Sequence, residues 1–439
     1  NPTRYVLPII IGIAASITVP GEAVSFLPES SIQLSIPYQI PKMNKNNPIQ
    51  LFKVFMSEEA IYKTTKTLSS GFIGQGSVVE EFENSLKEYF NSNYVVTTNS
   101  ATSAEHIVFH MLKKQKKGCE FVDKTDHIDF DWPGINPEDH VLTTALTCTA
   151  SNWPILLNGI NLRWVDVDPN TCNIDLNDLE SKINQFTKAI LVVHWGGYPV
   201  DLNKLLMIQK KSLEKYGFAP AIIEDCAHAF GSKYNNKLVG SHGNICTFSF
   251  QAIKHLTSGD GGCVVFNNEN DVRRAKLLRW FGINRDENRK DFRCEEDIQE
   301  IGYKMHMNDI NASIGLENLP YAKDFVVNSH KKNAHFYNES LKSIPGVTLL
   351  ENSLNCESSY WLYTIKVENQ EGFMKKMKES NIMVSRVHER NDIHSCVKKY
   401  KSHLPNLDKL VKEMICIPVG WWVSSQEREY IYEEIKKGW

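Results

Sequence analysis

The stretch that decides the fold is NICTFSFQAIKHLTSGDGGCVVFN, residues 244–267. It begins with an apolar run at residues 245–250, whose β-branched and aromatic side chains predict a buried strand. A polar turn that carries Lys254 follows, and after it comes a glycine-rich bend. A second apolar run, residues 263–266, predicts another buried strand. The lysine therefore lies between two strands of a core.

Lys254 stands in an unusual place for a charged side chain. Removing an ammonium group from water is costly, and burial drives a lysine toward the neutral amine. A neutral, positioned amine is a nucleophile that attacks carbonyl groups. The alternative interpretation is an ordinary turn lysine whose ammonium group reaches water. Both interpretations stay open on this stretch alone.

A second motif precedes this stretch in the chain. Residues 94–98 predict a short strand, and the small residues after it open a helix that runs toward Leu112. A strand, a turn of small residues and a helix N-terminus direct free backbone N–H groups at one point, which favours an anion. Thr102 and Ser103 add hydroxyl groups there. The alternative is simple N-capping of the helix.

From Val141 onward, strand-like runs alternate with helical stretches at residues 151–157, 176–183 and 202–216. The strand-like runs are VLTTALTC, LRWVDVD, KAILVVHW and PAIIEDC. This alternation predicts a parallel sheet covered by helices, in which ligands bind beyond the carboxyl ends of the strands. His194 and Asp225 each stand at such an end.

Asp225 gives the predicted sheet edge a carboxylate. A carboxylate can hold a proton on a pyridine nitrogen, and the alternative is a helix-capping aspartate. His228, three residues further on, is a candidate to contact the ring oxygen or the ring face. An anion-binding helix start near Thr102, the carboxylate and Lys254 are together the three groups that hold pyridoxal phosphate. We therefore predict this cofactor.

The composition excludes several classes of protein. The 439 residues are 42% apolar and 23% charged with a net charge of -3, which allows two or more domains and predicts no binding to nucleic acid. The ten cysteines include no C-x-x-C pair and no histidine at zinc spacing, so neither a disulfide framework nor a metal site is predicted. Cysteines inside apolar runs indicate reduced thiols. Reduced thiols favour a reducing compartment such as the cytoplasm.

Residues 1–50 are predicted to be a poorly ordered, atypical extension. Residues 5–19 are nearly all apolar, but a membrane-spanning helix needs roughly 20 such residues. No small-residue cleavage site of a signal peptide follows. Residues 20–48 are rich in Pro, Ser and Asn without periodicity. We expect no stable membrane association.

Four motifs also resemble those of a known family. They are SGFIGQGSVVEEFE (residues 70–83), VDVDPNTCNID (165–175), EDCAHAFGS (224–232) and FSFQAIKHLTSGDGG (248–262). In this order and spacing, the chain from about residue 51 to its end resembles the DegT-like nucleotide-sugar aminotransferases. The resemblance implies the α/β type I fold of pyridoxal-phosphate-dependent transferases and a homodimer with active sites at the subunit interface. It also implies transfer of an amino group from glutamate to a keto sugar linked to a nucleotide.

The resemblance also implies roles by position. Lys254 is expected to bind the cofactor aldehyde, Asp225 to pair with the pyridine nitrogen and His228 to lie beside the ring oxygen. The residues expected to form the phosphate cup are Ala101, Thr102, Ser103 and Ser249.

Two positions depart from the family pattern. Cys148 stands where an aromatic ring usually covers the cofactor, so Trp153 and His228 are alternative stacking partners. Lys304, within GYKMHMND (residues 302–309), stands where the family has an asparagine that reaches the partner subunit's phosphate site. Lysine is expected to make the same contact as a point charge.

The chain is predicted to divide at residue 320 into a large cofactor-binding domain, residues 51–320, and a smaller α+β domain, residues 321–439. The smaller domain is predicted from helical stretches at 321–341 and 373–379 and from the strand-like runs YWLYTIKV and MVSRVHER. VSRVHERND resembles the substrate-facing segment of the family, which makes Arg386, His388 and Arg390 candidates to bind the nucleotide sugar. The alternative for each is an exposed strand end.

The sequence thus predicts an aminotransferase that acts on a nucleotide-linked keto sugar, a 4-keto-6-deoxyhexose, in amino-sugar biosynthesis. One alternative is an aminotransferase for a cyclitol or another unphosphorylated ketone. The other is a non-catalytic sensor that binds the cofactor or a sugar without turnover. The nucleotide, the sugar, the ring carbon and the face depend on loops such as residues 286–300, which show no readable pattern.

Overall fold

The structure is a computed structural model that describes residues 47–113, 132–285 and 297–439. Helices and strands alternate through most of these ranges. Predictions for the first 46 residues and for most of the loop at 286–300 lie outside these ranges. The described strands are β1 Val95–Thr98, β2 His140–Thr144, β3 Asn161–Val165, β4 Thr187–Val193, β5 Ala221–Asp225, β6 Lys233–Tyr234, β7 Lys237–Leu238, β8 Ile245–Ser249, β9 Gly262–Val265, β10 Val347–Leu349, β11 Cys356–Glu357, β12 Tyr363–Val367 and β13 Met414–Ile417. The described helices are α1 Glu58–Ser70, α2 Ser77–Phe90, α3 Ala101–Leu112, α4 Thr149–Leu157, α5 Leu176–Lys182, α6 Leu202–Tyr216, α7 Glu269–Leu278, α8 Asp309–Tyr321, α9 Val327–Ser340, α10 Gln370–Glu379, α11 Pro405–Leu410 and α12 Ser425–Lys436.

Seven strands form the main sheet in the order β1-β9-β8-β5-β4-β2-β3. All of them are parallel except β9, which is antiparallel to both of its neighbours. The prediction of a mainly parallel sheet covered by helices is therefore confirmed. The connection from β8 to β9, residues 250–261, contains no helix, whereas the crossover between parallel strands is usually an α-helix.

The interior strand β4 shows why this sheet is buried on both faces. Every residue of β4 is buried, and alternate side chains of a strand point to opposite faces. Ile190 and Val192 join the apolar cluster that includes Leu205 of α6, whereas Ala189 and Leu191 join the cluster that includes Ile107 of α3. Burial of each Ile, Val or Leu side chain contributes about 1.5–3 kcal/mol.

A second, antiparallel sheet in the order β10-β12-β13 lies in the C-terminal part of the chain. Its core contains Ile365, Phe373 and Trp421. The helical run before it is longer than predicted, because α8 continues through a π-helical turn at Ala322–Val326 into α9. The division into domains at residue 320 falls within this run and stays a prediction.

The strand predicted at residues 383–390 does not form. The segment makes only an isolated bridge from Ser385 to Cys416, next to a bridge from Ile382 to Ile49. Val387 has a φ of 69°, a left-handed conformation that is costly for a β-branched residue and turns the backbone away from a strand path. The segment is instead a loop that places His388 beside His228.

Candidate active site

The carboxyl ends of β1 and β8 meet the N-terminus of α3 at one edge of the main sheet. Gly262, the first residue of β9, pairs with Thr98 at the end of β1 and with Ser249 at the end of β8. A Cβ atom at Gly262 would lie only 2.4 Å from the backbone N of Ala101. Glycine therefore allows α3 to begin directly against the sheet, beside Ser249.

The first turn of α3 presents unused hydrogen-bond donors. Ser100 is the N-cap, and its hydroxyl accepts from the backbone N–H of Ser103. The Ser103 hydroxyl donates to Asn99 Oδ1 at 2.6 Å, so it is engaged within the cap. Within the described parts of the chain, neither the Thr102 hydroxyl nor the N–H groups of Ala101 and Thr102 have a hydrogen-bond partner. These donors at the helix N-terminus are of the kind that bind anions.

Asp225 is the last residue of β5 and is buried, with 3% of its surface exposed. Its Oδ2 accepts a hydrogen bond from Ser151 Oγ at 2.5 Å, and its Oδ1 accepts from the backbone N–H of Ala227 at 2.9 Å. Ser151 lies in the first turn of α4. The carboxylate is thus held in one orientation by donors on both of its oxygens.

Lys254 lies in the turn after β8, and its Nζ atom is 3.4 Å from the centroid of the Trp361 ring. The residue keeps some exposed surface, although its amine is surrounded by protein. Burial lowers the pKa of Lys254 to about 7, because its effect exceeds the opposing effects of Asp225 and Cys148. This pKa supports a nucleophilic amine over a turn lysine that reaches water.

Three aromatic rings lie beside Lys254. His228 stacks on Trp361 with ring centroids 4.0 Å apart, and His388 stacks on His228 at 5.5 Å with an interplanar angle of 4°. His228 Nδ1 accepts a hydrogen bond from the backbone N–H of Gly196 at 3.3 Å. Burial and the charge of Lys254 hold the pKa of His228 well below its usual value. The neutral ring therefore carries its proton on Nε2, which leaves a donor.

The structure brings only one of the three predicted substrate-binding residues to Lys254. Burial and Lys254 lower the pKa of His388 to about 4, and its buried Nε2 has no partner among the described residues. Arg386 is instead paired with Glu389 at 2.7 Å. Arg390 is bound by both carboxylate oxygens of Asp392 at 2.6 Å.

The other predicted residues lie as follows. Cys148 is the half-buried N-cap of α4 and is close enough to Lys254 to influence the pKa of its amine. Trp153 packs with the edge of its ring toward His394, at 6.0 Å, and makes no ring contact with His228 or Trp361. Lys304 is exposed and forms an isolated bridge with Trp280.

Sequence reasoning missed two residues of this group. Trp361 lies within the apolar run that predicts a strand of the smaller domain. Its position beside Lys254 depends on the tertiary fold and has no local signal in the sequence. Ser151 was counted only as the start of a helix. Its place in the first turn after a strand, at the carboxyl edge of the sheet, was the signal that could have identified it.

The predicted His194 at the end of β4 has a structural partner. Its Nε2 lies 2.8 Å from Glu224 Oε2, and its Nδ1 accepts from the backbone N–H of Val200 at 3.0 Å. Both side chains of this pair are fully buried. The pair links β4 to β5 beneath the site.

The comparisons with known proteins agree with this geometry. The model of the DegT/DnrJ/EryC1/StrS aminotransferase family matches residues 55–123 and 124–436. The chain belongs to this family. A curated member of similar sequence is GDP-perosamine synthase of Escherichia coli O157:H7, 30% identical over 377 residues, which cover 84% of this chain and 92% of that protein.

Two solved structures have the same fold as this DegT-family chain and a higher sequence identity to it than GDP-perosamine synthase has. AtS13 from Actinomadura melliaura is 42% identical with a TM-score of 0.82, and the match covers 90% of this chain and 99% of that one. The sugar aminotransferase CalS13 from Micromonospora echinospora is 39% identical, also with a TM-score of 0.82, and the match covers 89% and 100%.

DegT-family enzymes are aminotransferases that depend on pyridoxal phosphate. The predicted family, the type I fold, the enzyme class and the cofactor are therefore confirmed. The residues present fit this cofactor, since an amine with a pKa of about 7, a buried carboxylate and the donors of α3 lie at one sheet edge. Within the described ranges, no helix is long and apolar enough to cross a membrane.

Proposed function

We propose that this sugar aminotransferase moves an amino group from glutamate to a 4-keto-6-deoxyhexose linked to a nucleotide, with Lys254 as its catalytic residue. The observation that carries the proposal is the Lys254 amine, whose pKa is lowered to about 7 and which interacts with Asp225 and Trp361. The nucleotide is supported by similarity to a protein named GDP-perosamine synthase.

Lys254 serves in two ways in this proposal. Its neutral amine would hold pyridoxal phosphate through the aldehyde of the cofactor, and the amine would be free again once the amino donor is bound there. It then acts as the general base that removes a proton from the donor carbon and returns it later. With its pKa lowered to about 7, the amine is unprotonated far more often at neutral pH than that of an exposed lysine, which suits proton transfer.

The remaining residues hold and orient the cofactor. When bound, pyridoxal phosphate supplies an electron sink for charge that develops at the substrate carbon. Asp225, fixed by Ser151, holds a proton at the pyridine nitrogen. His228 donates from Nε2 toward the ring oxygen. The phosphate would be held at the N-terminus of α3 by Ala101, Thr102 and Ser249, and by Ser103 only if its hydroxyl left Asn99.

The proposed sugar site is less complete within one chain. His388 lies beside His228 and Trp361, next to Lys254. Arg386 and Arg390 are paired with carboxylates and would have to leave these partners before they could bind a phosphate. Lys304 is exposed, as a residue that reaches into a partner subunit must be. We therefore propose a homodimer in which Lys304 completes the phosphate site of the opposite protomer.

We also propose that the enzyme works in a reducing compartment such as the cytoplasm. The eight cysteines within the described ranges are free thiols, and six of them are buried.

A panel of ketones tests the substrate proposal. The purified enzyme would be incubated with ¹⁵N-glutamate and, in separate reactions, nucleotide-linked 4-keto-6-deoxyhexoses, the same sugars without the nucleotide, and a keto-cyclitol. We expect labelled amino sugar from the nucleotide-linked substrates alone, measured by mass spectrometry. Labelled product only from the cyclitol or the free sugars would overturn the proposal, and no product from any ketone would favour a sensor.

A further inference from the structure

A second carboxyl group lies buried behind Asp225. Glu105, in the second turn of α3, is only 2% exposed. Its Oε1 accepts a hydrogen bond from Thr247 Oγ1 at 3.3 Å. Its Oε2 is fully buried and has no hydrogen-bond partner in the described parts of the chain. A buried polar atom without a partner is costly, so this oxygen calls for an explanation.

Asp225 is the acidic group beside Glu105. Thr247 of β8, which binds Glu105, stands directly opposite Asp225 of β5 in the register of the parallel pair. Neighbouring strands are about 4.8 Å apart, and the Glu105 carboxyl lies within hydrogen-bonding reach of the Asp225 carboxylate. Two ionised carboxylates at this separation in a buried site repel each other strongly.

Burial, followed by the negative charge of Asp225, holds the pKa of Glu105 well above its usual range. The other groups that face the pair are Cys148, which precedes α4, and Lys254, which faces Asp225 from the turn after β8. Lys254 thus interacts with Asp225, whereas burial and the charge of Asp225 both disfavour the ionised form of Glu105.

Glu83 of α2 shows what an ionised glutamate needs in this protein. It is as deeply buried as Glu105, but Arg279 pairs with it at 2.5 Å and Thr97 donates to it from both backbone and side chain. Although burial alone would raise the pKa of Glu83, Arg279 and Thr97 lower it below its usual value. The neighbour of Glu105 is the carboxylate of Asp225, whereas the neighbour of Glu83 is the guanidinium group of Arg279.

We propose that Glu105 is a neutral carboxylic acid whose Oε2–H donates a hydrogen bond to Asp225, and that it is a positioning residue for the carboxylate that faces the cofactor ring. The inference rests on the role proposed for Asp225. The proton gives the unpartnered oxygen of Glu105 an acceptor. It also gives Asp225 a third donor, in addition to Ser151 and Ala227, without adding a second negative charge to the site.

Infrared spectroscopy of the holoenzyme tests the protonation directly. The difference spectrum between the parent and Glu105→Gln at neutral pH should contain the carbonyl band of a protonated carboxylic acid. The control is Glu339→Gln, which removes an exposed carboxylate whose pKa Lys342 lowers, and which should remove only a carboxylate band. Loss of a carboxylate band in Glu105→Gln would overturn the inference.

The pH titration of the cofactor's visible absorbance tests the positioning role. Glu105→Gln keeps a donor toward Asp225, so its titration midpoint should match that of the parent. Glu105→Leu removes the donor and should shift the midpoint by roughly one to two pH units. Equal shifts in both variants, or a parental midpoint in Glu105→Leu, would contradict the inference.

The infrared measurement does not depend on whether the enzyme turns over a substrate. If Glu105→Leu does not fold, Glu105→Gln still provides the infrared readout, and loss of a carboxylate band there overturns the inference by itself. Failure of the proposed function would appear as unchanged transamination after loss of Lys254, whatever the infrared band of Glu105 shows.

Discussion

The chemistry of Lys254 follows from a balance between burial and two neighbours. Burial opposes the charge of the ammonium group, while Asp225 and Cys148 support it, and burial prevails. Trp361 covers the amine on one side. The result is a lysine that is a nucleophile and a base at neutral pH, which an exposed lysine with a pKa of about 10.4 is not.

This pKa predicts a characteristic pH dependence. The rate at which the apoprotein forms its covalent link to added pyridoxal phosphate should rise as pH increases through about 7 and then level off. The sign follows because only the deprotonated amine attacks the aldehyde. Stopped-flow absorbance measures the rate. A rate that continues to rise up to pH 10 would show an ordinary lysine.

At the scale of single residues, the sequence was sufficient to predict positions that follow from neighbours in the chain. Lys254, Asp225, Thr102 and His228 each follow a predicted strand or open a predicted helix, and the structure gathers them at one sheet edge. The ion pairs of Arg390 could not be predicted in this way. They depend on a loop path that takes the place of the predicted strand.

Elements were predicted well where their apolar pattern is long and regular. The helix α6 and the strand β5 lie within the predicted stretches, and α4 and β4 begin only one or two residues earlier than predicted. The predicted strand at residues 383–390 was wrong because its alternating pattern does not reveal the left-handed backbone of Val387. The contact of Trp361 with Lys254 brings together parts of the chain distant in sequence, so it could not be predicted from local patterns.

The junction between β9 and α3 predicts a specific loss of cofactor binding. Gly262→Ala places a methyl group against the Ala101 backbone, so α3 must shift and its donors move away from the phosphate. We expect about 1–3 kcal/mol of destabilisation and weaker binding of pyridoxal phosphate in a fluorescence titration. Gly74→Ala is the matched control, because a Cβ there meets nothing within 4 Å. Equal cofactor affinity in the two variants would contradict this account.

The ion pair of Glu83 with Arg279 joins α2 to the end of α7. Glu83→Gln leaves a buried arginine without its partner, which should cost about 3–5 kcal/mol in urea unfolding near neutral pH. The folded-state pKa of Glu83 is lowered, so its contribution is fully present above the usual value of 4.5 and is lost as pH falls through the folded pKa. The difference in stability between parent and variant should therefore shrink on acidification. A difference that does not change with pH would contradict this assignment.

At the scale of the whole molecule, the proposed homodimer predicts complementation between two defective protomers. Lys254→Ala lacks the catalytic amine, and Lys304→Ala lacks the charge proposed to enter the opposite site. A mixed dimer contains one site with both lysines, so co-expressed and tag-purified mixed dimers should be more active than either homodimer. Activity no higher than that of the Lys304→Ala homodimer would show that Lys304 does not act across an interface.

The central claim is that Lys254 carries the amino transfer. The most direct measurement follows a single half-reaction, in which glutamate is added to the protein loaded with pyridoxal phosphate and 2-oxoglutarate is quantified together with the cofactor's visible absorbance. We predict about one 2-oxoglutarate per site for the parent and for Lys342→Ala, which removes an exposed lysine. We predict almost none for folded Lys254→Ala. Formation of 2-oxoglutarate by Lys254→Ala at close to the parental rate would contradict the account.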